Sequence, residues 1–177
     1  MNGGEGISME HYGTLDGARE YHEARGNGAW SDQEFTDTQR TAALVRGSQA
    51  LDGQYGSRYP GRPALGRSQP LAWPRKGAID HCANELLPDS VVPIEVERAV
   101  YALALVELLT PGASSPSFTP GAVNKRERVD VIERERFGPA DGVALTLDMQ
   151  RAQLAEVEDL LRCLLVNRGA TQCILRV

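Results

Sequence analysis

The chain has 177 residues and a mass of 19.2 kDa, which allows one domain with an arm or insertion. Its 19 Lys and Arg against 24 Asp and Glu argue against a protein whose main affinity is for nucleic-acid phosphates. The best apolar stretch, 99–109, is short for a membrane span and contains Glu107, and the N-terminus does not look like a signal peptide. Three cysteines without a CxxC motif, Cys82, Cys163 and Cys173, predict free thiols and a reducing compartment.

The N-terminal part predicts an arm followed by a short helix. Residues 1–13 contain four glycines and little apolar surface, so we expect a flexible arm. A helix is predicted over about 15–25, with Thr14 as its N-cap, and 26–28 (Gly-Asn-Gly) ends it. One face of this helix would carry Leu15, Ala18, Tyr21 and His22.

A second helix is predicted from a capping box to about Gln54. Ser31 is the predicted N-cap, Glu34 completes the box, and Trp30 with Phe35 forms a hydrophobic staple. Two neighbouring stripes are candidates for the buried face: Phe35, Thr38, Ala42 and Val45, and beside them Leu44, Ser48, Leu51 and Tyr55.

Residues 56–92 show no sustained hydrophobic period and are rich in proline and glycine. A stretch of this length without regular structure is uncommon within a domain and usually functional. We predict a long irregular loop, with at most one short turn of helix near 78–86. Pro93 is then the predicted first residue of a third helix, which is apolar on nearly all sides over 99–109 and therefore central and buried.

The last third predicts a hairpin, a helix and a tail. Residues 122–137 alternate in the manner of a β-hairpin, with a charged helix as the competing interpretation. A final helix is predicted over about 148–167, with Leu154, Val157, Leu161 and Leu164 in one stripe. The fold class is therefore mainly α: a bundle of about four helices over 14–169, with one β-hairpin, a long irregular Pro/Gly loop and extended terminal arms, 1–13 and 170–177.

Motifs for phosphate-loop, dinucleotide, zinc-protease or serine-hydrolase chemistry do not occur in the sequence. His81 and Cys82 are neighbours, and a lone pair of this kind in a loop is typical of a structural or exposed position. We therefore expect no enzyme activity, no catalytic residue, no cofactor and no metal.

Three segments are candidate interaction sites. The hairpin carries both signs of charge, which favours cross-strand ion pairs; a projecting loop that contacts charged neighbours or DNA is the alternative. Its basic residues are Lys125, Arg126, Arg128, Arg134 and Arg136. The tail would pack on its own domain or dock on a partner. Its candidate contact residues are Cys173, Ile174, Leu175, Arg176 and Val177.

The third candidate is the 56–76 part of the long loop, which holds five basic residues and no acid. Arginine beside aromatic residues is typical both of a single-stranded nucleic-acid surface and of a protein interface. A solvated loop with Trp73 folded back onto the core is the third possibility. The residues that define this candidate are Arg58, Tyr59, Arg62, Trp73 and Arg75.

Several segments together resemble a phage protein family often labelled DnaT-like single-stranded DNA-binding. The most specific is 69–75, Gln-Pro-Leu-Ala-Trp-Pro-Arg. The others are 18–27 with Trp30, 42–48, Leu51-Asp52 with Tyr55 and Arg58, Val92-Pro93, and 123–129. The resemblance covers about 14–165, and we expect the two ends to be particular to this protein.

This family is similar in layout to the head–tail adaptors of tailed phages, small helical domains that form a dodecameric ring under the portal. The resemblance implies a homo-oligomeric ring, a portal partner, a tail or stopper partner, and double-stranded DNA passing through the lumen without sequence-specific binding. It implies a place in the virion neck, in the host cytoplasm during assembly, and no membrane partner. The tail residues would bind the portal, and the loop residues would form a subunit or neck interface.

Two other functions stay open. The first is a single-stranded DNA-binding protein of a phage replication system, which would engage DNA through Arg58, Tyr59, Arg62, Trp73 and Arg75. The second is an accessory or regulatory subunit of an enzyme.

Overall fold

A computed structural model describes residues 10–115, 126–129, 132–135 and 155–166. Within them lie four α-helices: α1 (Leu15–Glu23), α2 (Asp37–Tyr55), α3 (Ile94–Leu109) and α4 (Ala155–Leu161). Three antiparallel strand pairs join them: β1 (Arg62–Pro63) with β2 (Arg75–Lys76), β3 (Ile79–Asp80) with β4 (Glu85–Leu86), and β5 (Arg126–Val129) with β6 (Ile132–Glu135). Single 3-10 turns occupy Gly28–Ser31, Gly56–Arg58, Gly66–Ser68 and Arg162–Leu164. The predicted fold class, mainly α with a hairpin, is confirmed.

Helix α3 is the centre of the core and packs against α1, α2 and α4. As predicted, it is buried almost all round over its middle turns. On helix α2 the predicted stripe Leu44, Ser48, Leu51 and Tyr55 is buried, whereas the stripe that begins at Phe35 is partly exposed. Gly47 brings the two backbones together, because a Cβ there would lie 3.3 Å from the Ala104 backbone nitrogen.

Helix α1 begins as predicted, with the Thr14 hydroxyl accepting the Gly17 N–H. Ala18, Tyr21 and His22 form its buried face. The His22 Nε2 atom lies 3.0 Å from the Tyr101 carbonyl oxygen, which can only accept, so Nε2 carries the proton. His22 Nδ1 is then free to accept from the Asn27 side-chain amide.

The predicted start of the second helix is wrong. Helix α2 begins at Asp37, and its capping box joins Thr36 and Gln39 rather than Ser31 and Glu34. Ser31 ends a 3-10 turn. Arg40 holds the segment before the helix in this non-helical path, because its guanidinium donates to the carbonyls of Trp30 and Asp32. Two successive sequence boxes, 31–34 and 36–39, therefore compete, and the second one caps the helix.

The predicted turn of helix near 78–86 is also wrong. This segment forms the β3–β4 pair, and the Asp80 carboxylate accepts the N–H groups of Cys82 and Ala83 to close the turn between the strands. Pro93 is the N-cap of α3 rather than its first helical residue.

Helix α4 ends earlier than predicted, at Leu161. Beyond it, the Cys163 carbonyl accepts the His81 N–H, and the Val166 N–H donates to the Arg58 carbonyl, so the backbone leaves the helical path to bind the long loop. The predicted apolar stripe is nevertheless buried at Val157, Leu161 and Leu164. Residues 148–154 and 167, which the prediction included, lie outside the described residues.

Cys82 and Cys163 form a disulfide, so the prediction of free thiols is wrong for this pair. The bond joins the β3–β4 turn to the segment after α4, across 81 residues of sequence. Spacing could not reveal it, because the two cysteines meet only after α4 has packed on α3. Cys173 lies outside the described residues.

The C-terminal end of α3 is closed by a buried carboxylate. Glu107 accepts the Gly112 N–H at 2.8 Å, the Ser114 N–H at 2.9 Å and Arg46 Nε of α2 at 3.0 Å. Arg46 also donates to the Glu107 carbonyl oxygen. Burial alone would raise the pKa of Glu107, but these hydrogen bonds outweigh it and hold that pKa below its usual range.

The predicted hairpin is confirmed as β5–β6, and the competing helix is wrong there. Its register places a base opposite an acid at three successive positions: Arg126 with Glu135, Glu127 with Arg134, and Arg128 with Glu133. Such a register agrees with the expectation of cross-strand charge pairing. Lys125, Arg136 and the whole tail 170–177 lie outside the described residues.

No helix in the described part of the chain is long and apolar enough to span a bilayer.

Candidate interaction surface

The long loop is attached to the core through a polar network around Asp52, in the penultimate turn of α2. The Tyr12 hydroxyl donates to the Asp52 carboxylate at 2.8 Å and accepts the Trp73 N–H at 2.9 Å. The Ala72 N–H donates to the same carboxylate at 2.7 Å. Three segments distant in sequence therefore meet at one partly buried acid.

Tyr12 lies in the segment that the sequence assigned to a flexible arm, and for this residue that assignment is wrong. Its side chain is fully buried, and its backbone N–H donates to the Ser48 hydroxyl. An aromatic ring with a hydrogen-bonding tip is well suited to such a position. Residues 1–9 of the predicted arm lie outside the described residues.

Arg75 holds the loop together from inside. Its guanidinium donates to the carbonyls of Pro60 at 2.7 Å, Gly61 at 2.8 Å and Ala72 at 3.1 Å, and only 6% of the residue is exposed. Burial lowers the pKa of this guanidinium. Gly61 is required beside it, because its φ is +66° and a Cβ would collide with the Lys76 carbonyl oxygen.

Gln69 supplies a second set of backbone contacts. Its amide nitrogen donates to the carbonyls of Leu71 and Pro74, and its amide oxygen accepts the Leu65 N–H. The sequence Gln-Pro-Leu-Ala-Trp-Pro-Arg thus builds a turn whose polar side chains replace the backbone hydrogen bonds that a helix or sheet would supply.

The two aromatic residues of the loop are interior residues. Tyr59 and Trp73 pack edge to face with ring centroids 5.5 Å apart, and Trp73 is 1% exposed. The Tyr59 hydroxyl and the Trp73 indole N–H have no hydrogen-bond partner among the described residues. Burial raises the pKa of Tyr59, and it also raises the pKa of Asp52, against the lowering effect of the Ala72 N–H and the Tyr12 hydroxyl.

The five predicted interface residues therefore divide into two groups. Tyr59, Trp73 and Arg75 are buried. For Trp73 this agrees with the third possibility for the loop, in which Trp73 folds back onto the core. Arg58 is half-buried, with its guanidinium 3.8 Å from the Glu158 carboxylate, and Arg62 is exposed. These residues do not form one exposed arginine–aromatic surface. An interface role for these residues stays a prediction. The exposed Arg62 and the half-buried Arg58 would have to make the contacts.

The loop exposes aliphatic side chains instead. Leu65 is 71% exposed and Leu86 is 65% exposed, although both lie in an ordered backbone. Ile79, opposite Leu86 in the β3–β4 register, is also exposed, as are Val91 and Ile94 at the end of the loop and the start of α3. Exposed aliphatic residues concentrated on one segment are typical of a protein contact.

One group of possible metal ligands lies in the described residues, Asp80 with Cys82 and Cys163, whose ligand atoms are within 4.8 Å of one another. The two sulfurs are bonded to each other, so they offer no thiolate to a metal. The Asp80 carboxylate already accepts two backbone N–H groups. Asp80 and the disulfide therefore have a structural role: they close the β3–β4 turn and join it to the segment after α4.

Sequence reasoning missed Tyr12, Asp52 and Gln69, which position the loop. One signal was present: 53–79 contains five basic residues and no acid, and Asp52 is one of the two acids that flank this stretch. A counter-charge for Arg75 could have been sought there.

A family model described as "Putative DnaT-like ssDNA binding protein" matches residues 2–177. The chain belongs to this family. The match includes both ends of the chain, so the expectation that the arm and tail are particular to this protein is wrong. No curated protein and no solved structure matches the chain significantly. Family membership agrees with the resemblance found in the sequence, and the family's description names single-stranded DNA binding.

Proposed function

We propose that the chain is a structural connector of a bacteriophage neck. In this proposal copies form a ring, dodecameric in the adaptors it resembles, that binds the portal and joins it to the tail or to the next neck protein. Double-stranded DNA passes through the lumen without sequence-specific contacts. The protein works in the virion, and in the host cytoplasm during assembly, without catalysis, cofactor or membrane contact. The tail 170–177 would dock on the portal.

One observation carries the proposal. The long loop 56–92 holds its backbone with the buried Arg75 guanidinium, packs Tyr59 and Trp73 inside the protein, and exposes Leu65 and Leu86 to solvent. Burying two such side chains against another protein is worth about 1.5–3 kcal/mol each. A rigid loop with exposed leucines is suited to a permanent protein contact, because little conformational entropy is lost when it binds.

Single-stranded DNA binding is the second candidate, and the family's description favours it directly. The exposed cations Arg62, Arg67 and Lys76 on the same loop could contact phosphates. Against it, base stacking needs aromatic faces, and the two rings expected to supply them, Tyr59 and Trp73, are inside the protein. An exposed aliphatic group contributes little to nucleic-acid binding.

The mass of the purified chain separates the two functions. It is measured alone, with the portal ring of the same virus, and with a short single-stranded oligonucleotide. A connector gives a defined ring with the portal and no complex with the oligonucleotide. A complex with the oligonucleotide that weakens steeply with salt, without portal binding, would instead establish the second candidate.

A variant pair sharpens this test. Leu65→Ser with Leu86→Ser should weaken ring assembly on the portal at least about tenfold, since each exposed leucine then loses its contact. Leu109→Ser is the matched control, because Leu109 is 54% exposed at the other end of α3, away from the loop. Equal assembly by the loop variant and the control would remove the loop from the interface.

A further inference from the structure

We propose that copies of this chain associate head to tail through opposite charges at the two ends of α2. The basic end is defined by Arg62, Arg67 and Lys76, on the β1–β2 pair and the turn between its strands. The acidic end is defined by Asp32, Glu34 and Asp37, just before and at the N-terminus of α2. The basic end of one copy binds the acidic end of a second copy. The closed ring in this inference rests on the proposed function.

The basic end contains positive charges that no acid pairs with among the described residues of the same protomer. Arg62 lies directly opposite Lys76 in the antiparallel register, and both are exposed. Like charges directly opposite each other destabilise a strand pair. Among the described residues, no acid forms an ion pair with Arg62, Arg67 or Lys76, so an anionic partner would relieve this repulsion.

The acidic end lies at the other end of the same helix. Helix α2 has 19 residues, and at 1.5 Å per residue it is about 28 Å long. Asp32, Glu34 and Asp37 are exposed, and Glu34 has no ion-pair partner among the described residues. Acids at a helix N-terminus are also favoured by the helix dipole, so this end keeps its charge at low cost to the fold.

The charge distribution of the whole chain favours a second copy over a nucleic acid. Residues 53–79 hold five of the 19 basic residues and none of the 24 acids, which leaves 14 basic and 24 acidic residues elsewhere, a formal −10. Outside this stretch, a second copy is therefore net acidic. Leu65, between Arg62 and Arg67 in sequence, is exposed and adds an apolar contact that phosphates would not use.

A contact between two different ends of identical chains is heterologous, so it repeats from copy to copy until the assembly closes. The basic end of one protomer then neutralises the acidic end of the next around the whole ring. Charged contacts of this kind set partner orientation and are screened by salt.

Complementary charge reversal tests the inference. One variant, Arg62→Glu with Lys76→Glu, makes both ends acidic; the other, Asp32→Lys with Glu34→Lys, makes the acidic end basic and leaves the Asp37–Arg40 pair intact. Self-association is measured by sedimentation, alone and on the portal ring. Each variant alone should associate at least about tenfold more weakly than the original chain, and the equimolar mixture should recover to within about threefold. The exposed pair Arg98→Glu with Arg162→Glu, the matched control for charge, should associate normally.

Recovery by the mixture is the decisive result, because misfolded variants would not rescue each other. A mixture as weak as its components would overturn the inference, and so would normal association of either variant alone or failure of the original chain to associate in both settings. Loss of oligonucleotide binding with unchanged self-association would assign the basic end to nucleic acid and also overturn it. The proposed function fails separately, if the original chain self-associates but does not bind the portal.

Discussion

The α2–α3 pair and the long loop 56–92 are built from different contacts. The helices bury apolar stripes against each other and satisfy their backbone groups internally, with Gly47 allowing close approach. The loop has only short strand pairs, and polar side chains from inside hold its backbone, above all Asp52, Arg75 and Gln69. An irregular segment can therefore be held in place like a helix when side chains bond its backbone groups.

The largest expected effect tests the apolar side of this comparison. Leu51→Ala removes a fully buried side chain of α2 and should lower the free energy of unfolding by about 3 kcal/mol, from lost burial and the cavity left behind. Leu109→Ala, at an exposed position of α3, should cost less than about 1 kcal/mol. Urea unfolding measures both, and equal effects would mean that Leu51 does not lie in a close-packed core.

The next largest effect tests the polar side chains that hold the loop. Asp52→Ala should cost about 2 kcal/mol, because the Ala72 N–H and the Tyr12 hydroxyl lose a partly buried acceptor. Amide exchange should quicken selectively at Ala72 and Trp73, while the amides of α3 keep their protection. Asp37→Ala, which removes an exposed acid paired with Arg40, is the control and should change the unfolding free energy by less than about 0.5 kcal/mol. Uniform loss of protection would show that the loop and the helix pair unfold together.

The smallest expected effect concerns His22 of α1. Its buried polar side chain is held by hydrogen bonds, as the side chains of the loop are. Burial lowers the pKa of His22 below its ordinary 6.5, so the folded protein keeps the ring neutral while the unfolded chain takes up a proton. Stability should therefore be constant above about pH 7 and fall as the pH drops below about 6.5. Melting temperatures across this range should show a smaller slope for His22→Gln than for the exposed-site control His81→Gln. An identical slope in both variants would contradict the assigned role of His22.

The sequence predicted the parts whose signal is local. The Thr14 cap, the apolar α3, the stripe from Leu44 to Tyr55 and the β5–β6 hairpin all follow from spacing and residue type within one element. The capping box at Ser31 was wrong because a contact outside both boxes, Arg40 to the Trp30 carbonyl, decided between two local signals. The burial of Trp73 and Arg75 depends on Tyr12 and Asp52, more than 20 residues away in sequence from each of them, and the disulfide of Cys82 depends on the packing of α4.

The buried Glu107 carboxylate has a mechanical consequence. It holds both the turn that leaves α3 and the Arg46 guanidinium of α2. A pulling force on the chain beyond residue 115 would reach α2 through this junction instead of unwinding the last turn of α3. The junction therefore spreads such a load across two helices, and the turn that follows α3 is anchored in the α2–α3 pair.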